Sequence, residues 1–180
     1  MSAPDMPKDD PSGDNASDLS LTLRLADAEA TADLARRIAP HLRAGDTILL
    51  SGPIGAGKSH FCRSLIQARL AELGRVEDVP SPTYTIVQVY DAGEVEIWHA
   101  DLYRLTGPDE IVELGLEEAF EAAICLVEWP DRLEDLAPEN ALWLDLAPSQ
   151  DNDSRKASLR ATDRRWAPIL RQLAQPGPMA

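Results

Sequence analysis

Thr47-Ile-Leu-Leu-Ser-Gly52-Pro-Ile-Gly-Ala-Gly-Lys58-Ser59 is the stretch on which the fold turns. Thr47 to Leu50 is a short apolar run closed by glycines, which predicts a buried parallel strand. Gly52 to Ser59 then satisfies G-x-x-x-x-G-K-[ST] at every fixed position. The glycines let the backbone curl so that successive N–H groups converge on an anion. A helix starting near Lys58 adds its positive end to the same point. The Lys58 ammonium has the reach for β- and γ-phosphates, and the Ser59 hydroxyl suits a magnesium ion. Strand, loop and helix together make a phosphate-binding loop.

Outward from this loop the chain alternates strands and helices. Leu19-Ser-Leu-Thr-Leu-Arg-Leu25 alternates strictly and predicts a half-buried strand. Asp27 is placed to cap a helix whose Leu34, Ile38 and Leu42 share a face, with Gly45 as its stop. A helix over 58–73 turns Phe61, Leu65, Ile66 and Leu70 inward, and 74–83, with Pro80 and Pro82, reads as a loop. Strands are expected over 84–90 and 94–100, joined by a turn at 91–94. Short helices follow over 108–113 and 116–122, then a buried strand over 124–128. Two further, antiparallel strands are expected over 142–146 and 155–161, and a last helix over 164–174 carries Trp166, Ile169, Leu170 and Leu173. The order predicts one α/β domain over 19–175. Its architecture is a three-layer P-loop NTPase fold with a mixed, mainly parallel central sheet and antiparallel additions. Residues 1–18 lack aliphatic and aromatic core formers other than Met, so they are expected to be a disordered acidic tail; 176–180 are expected to fray.

Charge narrows the function. Seventeen Lys and Arg against 31 Asp and Glu leave the chain at −14, which disfavours tight, direct binding to a nucleic-acid backbone. The excess is uneven: residues 149–180 carry six basic and three acidic side chains. An acidic body with a basic end could dock on a basic protein, or present only a solvated surface. No run of 18 apolar residues spans a membrane, and Met1 to Ser20 has no apolar core, so neither a secretory signal nor a transit peptide is expected. Cys62 and Cys125 have no metal-ligand spacing; they are expected to be small buried side chains in a reducing, cytoplasmic compartment.

A magnesium ion on such a loop needs acidic help from the end of a neighbouring strand. Glu128, closing Ile124–Val127, and Asp101, closing the run after Val95, are the two candidates; each could instead be a surface acid or a helix cap. Guanine-specific sites carry Asn-Lys-x-Asp, and none of Asn15, Asn140 and Asn152 precedes a lysine. ATP is therefore the expected nucleotide. A Leu-Ser-Gly-Gly-Gln signature is absent, which argues against a transporter ATPase.

Five segments together resemble the TsaE family, formerly YjeE. They are Gly52–Ser59, Ser81-Pro-Thr-Tyr-Thr85, His99-Ala-Asp-Leu-Tyr-Arg-Leu105, Glu113-Leu-Gly-Leu116 and Ile124-Cys-Leu-Val-Glu-Trp-Pro130, and the likeness covers about 25 to 146. The resemblance implies an ATPase, with ATP and Mg2+ as ligands, working with the TsaD and TsaB proteins. With TsaC, which makes threonylcarbamoyl-AMP, these proteins modify the adenosine next to the anticodon in tRNAs that read codons starting with A. TsaD transfers the group, and ATP hydrolysis by the TsaE member permits repeated turnover. Contact with tRNA is expected only through the partners. By motif, Gly52, Ile54, Gly55, Ala56, Gly57 and Lys58 would hold the phosphates. Ser59, Glu128 and Asp101 would serve the metal, and Lys58, Asp101 and Glu128 the chemistry. Thr83 would sit in a switch-like loop, and Trp129 beside the nucleotide.

Departures from the family pattern are Ser59 for a usual Thr, Pro53-Ile54 for Asp-Leu, and Ala100 for a common Phe. Structural readings stand beside the functional ones. Trp129 could be core packing, Thr83 a loop cap, and Tyr103 and Arg104 structural. His99 reads as a packing histidine without a role, His41 and His60 as exposed helix residues. The Trp166 helix reads as packing, although Arg164, Arg165 and Arg171 leave a partner surface open. Two other functions fit a phosphate loop. A small-molecule kinase would need an arginine-bearing lid, and 129–140 hold only Arg132. A binding module gated by ATP, without catalysis, is the third reading.

Overall fold

The computed structural model describes residues 18–151 and 153–177, so most of the expected acidic tail and residues 178–180 lie outside the described residues. Seven strands form one sheet: β1 (Leu19–Leu25), β2 (Thr47–Ser51), β3 (Val87–Asp91), β4 (Glu96–Asp101), β5 (Ile124–Glu128), β6 (Leu142–Pro148) and β7 (Arg155–Ala161). Their spatial order is β1-β7-β6-β2-β5-β4-β3. The four central strands, β6-β2-β5-β4, are parallel, while β1, β7 and β3 add antiparallel edges. The α-helices are α1 (Ala28–Ile38), α2 (Lys58–Glu72), α3 (Pro108–Glu113), α4 (Leu116–Ala122) and α5 (Ala167–Ala174).

Alternation along the central strands builds two cores. Ile48, Leu50, Ile124 and Leu126 face one way and pack with Leu34 and Ile38 of α1, Phe61, Leu65 and Leu70 of α2, and Ile169 of α5. Leu49, Cys125, Val127 and Ala100 face the other way, toward Ile111 of α3, Leu116 of α4 and Leu133. Helices thus cover both faces of the sheet, giving the three layers expected of α/β alternation. Among the described residues no helix is long and apolar enough to cross a membrane.

Element boundaries follow local chemistry. The Asp27 carboxylate accepts from the Ala30 N–H at 2.9 Å and caps α1. The helix stops at Ile38 rather than running to Gly45, because Pro40 lacks an N–H; a 3-10 turn, Ala39–His41, takes over and still buries Leu42. Against β7, β6 is antiparallel as expected, but against β2 it is parallel. The strand expected over 84–90 begins only at Val87. Ile86 has φ +68°, and its N–H donates to the Pro82 carbonyl at 2.7 Å, so 82–86 is a turn. The last helix also starts with a 3-10 turn, Arg164–Trp166, whose Arg165 guanidinium pairs with the buried Asp46 carboxylate.

Trp166 is fully buried, and its indole N–H donates to the Asn140 carbonyl at 2.7 Å. Trp166→Ala should cost about 3–5 kcal/mol of stability, from lost burial, the cavity and an unpaired carbonyl. Urea denaturation followed by circular dichroism checks this.

Candidate nucleotide and metal site

Parallel pairing makes β2, β5 and β4 end on the same edge of the sheet, where open α/β sheets bind ligands. Register then does the positioning. Leu50 lies opposite Glu128, and Glu128 opposite Asp101, so the loop after β2 and both candidate carboxylates emerge side by side. The backbone locks this alignment: the Trp129 N–H donates to the Leu50 carbonyl at 3.2 Å and the Leu102 N–H to the Glu128 carbonyl at 3.1 Å.

The loop's glycines have different jobs. Gly52 (φ +133°) passes so close to β6 that a Cβ there would lie 2.2 Å from the Leu146 carbonyl oxygen. Gly55 (φ +80°) would meet no atom within 4 Å, so only its backbone angle calls for glycine. Gly57, left-handed at φ +105°, is the last residue before α2.

The Lys58 ammonium donates to the Gly52 and Pro53 carbonyls at 2.6 and 2.9 Å and lies 4.3 Å from the centre of the Trp129 ring. Burial pulls this group below its ordinary pKa, against the opposing pull of the Glu128 and Asp101 charges. Ser59 Oγ donates to the Glu128 carboxylate, 2.9 Å from Oε1 and 3.0 Å from Oε2. Glu128 also meets Nε2 of the fully buried His99 at 2.8 Å. The Asp101 carboxylate accepts from the Tyr103 N–H at 3.0 Å.

These groups surround a cleft of about 400 Å3. Ile54, Gly55, Gly57, Lys58, Ser59, Thr83, Asp101, Glu128 and Trp129 all line it, so nearly all the residues singled out from the sequence meet in one place. Gly52 stands behind it through its carbonyl bond to Lys58, and buried Ala56 anchors the turn through its N–H to the Pro53 carbonyl. Thr83 reaches the cleft from the 82–86 turn, with Oγ1 2.8 Å from Ser81 Oγ. Trp129 is left-handed at φ 59°, which aims its ring back over Lys58 and onto Tyr103, ring centres 4.9 Å apart. A second cleft of about 590 Å3 lies across Gly55 to Gly57, lined by Asp27, Thr31, His60 and Arg155 among others.

Several residues that the sequence left without a role belong here. Arg63 and Tyr103 line the first cleft. Arg63 sits one helical turn beyond Ser59, a spacing that could have flagged it. His60 is half-buried rather than exposed, its Nε2 2.8 Å from the Ala28 carbonyl oxygen, which ties α2 to the start of α1. His99 is more than packing, since it contacts the carboxylate of Glu128.

A sheet-edge loop opening a helix, with acidic residues ending the adjoining parallel strands, is the arrangement of the P-loop class of α/β proteins. Comparison with known proteins gives the particular family. The family model for the threonylcarbamoyl adenosine biosynthesis protein TsaE matches residues 25–157, and the chain belongs to the TsaE family. A tRNA threonylcarbamoyladenosine biosynthesis protein TsaE from Rickettsia conorii is 38% identical over 131 residues, 73% of each chain. Its namesake from Bacillus subtilis is 32% identical over 156 residues, 86% of this chain and 94% of that one. The crystal structure of Bacillus subtilis YdiB superposes with a TM-score of 0.71 at 28% identity, covering 87% of this chain and 95% of that one.

Proposed function

We propose that the chain binds Mg-ATP at Gly52–Ser59 and hydrolyses it, and that hydrolysis resets its association with a TsaD–TsaB pair during threonylcarbamoylation of tRNA adenosine. The observation that carries this reading is the pairing of the Ser59 hydroxyl with Glu128, beside Asp101 and the Lys58 ammonium. Hydroxyl and carboxylate oxygens are the hard donors that magnesium prefers. Ser59, Glu128 and Asp101 would hold the ion, which when bound neutralises charge on the β- and γ-phosphates.

The protein's own groups do the rest. Lys58 exchanges its two carbonyl partners for phosphate oxygens. Trp129 and Tyr103 wall off solvent on one side, and Thr83 faces the γ-phosphate end. The cleft lined by Asp27, Thr31, His60 and Arg155 takes the ribose and base. Glu128 or Asp101 orients the attacking water.

Glu128→Gln keeps size and polarity but removes the charge. Its hydrolysis rate should fall roughly 10²-fold, the scale of a lost positioned base, while Mg-ATP affinity changes by less than about fivefold. Phosphate release and calorimetry on the same preparation measure the two effects. Wild-type turnover in this variant rejects the proposed site. Capture of TsaD and TsaB from native lysate, with and without Mg-ATP, tests the partner half of the reading.

A further inference from the structure

The side chains facing Glu128 are not all explained by nucleotide chemistry. A carboxylate in its ionised form only accepts hydrogen bonds. His99 Nε2, 2.8 Å from Glu128 Oε1, therefore carries the ring hydrogen and donates. The other nitrogen, Nδ1, is buried with no partner, which agrees with this tautomer because an acceptor lone pair is the lesser loss. His99 projects from β4, Glu128 from β5 and Ser59 from α2, so the carboxylate is held from two separate elements. His99 is fully buried and Glu128 nearly so, at 2% exposure. Cys62, one turn after Ser59 on α2, closes the same pocket, its Sγ within 4.8 Å of the His99 and Glu128 ligand atoms. Burial and the Glu128 charge raise its pKa well above the ordinary thiol value, so it stays a thiol and packs.

We propose that His99 is a positioning residue: by donating to Oε1 it fixes the rotation of the Glu128 carboxylate and leaves Oε2 for the metal-bound face of the site. This rests on the reading of Glu128 as a magnesium and water-positioning group. His99 touches neither nucleotide nor metal and acts only through Glu128. A buried hydrogen bond of this kind removes rotational freedom from a carboxylate that would otherwise have to be ordered during each turnover.

The experiment compares wild type with His99→Leu, which removes the donor, and His99→Gln, which restores an N–H donor at similar reach. ATP affinity is measured by calorimetry in excess EDTA and again in Mg2+, and turnover by phosphate release. His99→Leu should bind ATP normally in EDTA but lose about two- to threefold of the enhancement that Mg2+ gives, within the loss that Glu128→Gln shows, and its kcat should fall about tenfold. His99→Gln should recover most of both. In a Glu128→Gln background, His99→Leu should add no further loss.

A normal Mg2+ enhancement and kcat in His99→Leu would falsify the proposal. So would equal losses in His99→Leu and His99→Gln at matching melting temperatures, or full additivity with Glu128→Gln. Should His99→Leu fail to fold, His99→Asn replaces it: its amide is too short to reach Oε1, and it should fall below His99→Gln in both readouts. Equality of those two variants overturns the inference. If wild type binds no ATP, the parent reading fails as well; if wild type binds and turns over normally while the variants match it, only the role of His99 fails.

Discussion

Lys58→Ala should abolish measurable Mg-ATP binding and, with it, hydrolysis. The ammonium lies where the loop, Glu128, Asp101 and Trp129 converge, on a residue that is only 5% exposed. Charge-assisted hydrogen bonds to two phosphate oxygens contribute about 1.5–3 kcal/mol each, so removing both costs roughly 10²-fold or more in affinity. The variant loses a second function too. Without the ammonium, the Gly52 and Pro53 carbonyls lack the donor that draws the loop together. Part of the loss is therefore disorder of the loop. Lys58→Arg, which keeps a charged donor for the two carbonyls but not the compact ammonium, separates the contributions: it should melt closer to wild type than Lys58→Ala while Mg-ATP affinity stays far below the wild-type value. Calorimetry with Mg-ATP and thermal denaturation give both answers. An unimpaired hydrolysis rate in Lys58→Ala would mean that catalysis lies elsewhere.

Gly52→Ala should be nearly as severe by a different route. The added methyl would sit 2.2 Å from the Leu146 oxygen, 3.2 Å from its carbonyl carbon and 3.3 Å from Ala56 Cβ. Two of those atoms are backbone of a central strand, which cannot yield as a flexible side chain can. The backbone angle, φ +133°, adds strain of about 1–3 kcal/mol for any residue with a Cβ. Loop and β6 must separate, and the carbonyl that accepts from Lys58 moves with them. A melting temperature lower by roughly 10 °C is expected for a chain of this size, together with loss of Mg-ATP affinity. Gly55→Ala is the matched control. It meets open space at φ +80° and should lose only the backbone cost, about 1–2 kcal/mol. Equal melting temperatures for the two variants would show that contact with β6 is not what reserves position 52 for glycine.

The parts of the molecule that were legible in the sequence are those where one physical requirement dominates. The middles of buried central strands must be apolar, and Ile48–Leu50 of β2 and Ile124–Val127 of β5 are. Phosphate-loop chemistry restricts residue types at fixed spacing, and Gly52 to Ser59 shows the restriction plainly. Carboxylates closing buried strands led to Glu128 and Asp101, and parallel register placed them together.

Where local pattern and tertiary demand conflict, the pattern misleads. Tyr84-Thr-Ile-Val87 has the aromatic and β-branched residues of a strand, yet Ile86 takes a positive φ and Thr83 reaches the cleft from the turn. Trp129 follows a strand and could have extended it, but its left-handed backbone turns the ring over Lys58. His99 had no local signal at all, since its meaning depends on a neighbour 29 residues away. His60 looked like a surface residue until α1 packed against α2 and supplied the Ala28 carbonyl.

The positive φ of Ile86 has an energetic corollary. A β-branched residue held there raises the free energy of its segment by roughly 1–3 kcal/mol. Each 1.4 kcal/mol is a tenfold ratio of populations, so an extended alternative for residues 82–86 starts with that handicap already removed. The turn that presents Thr83 is thus a cocked spring, and contacts worth only one or two hydrogen bonds decide whether it stays latched or recoils.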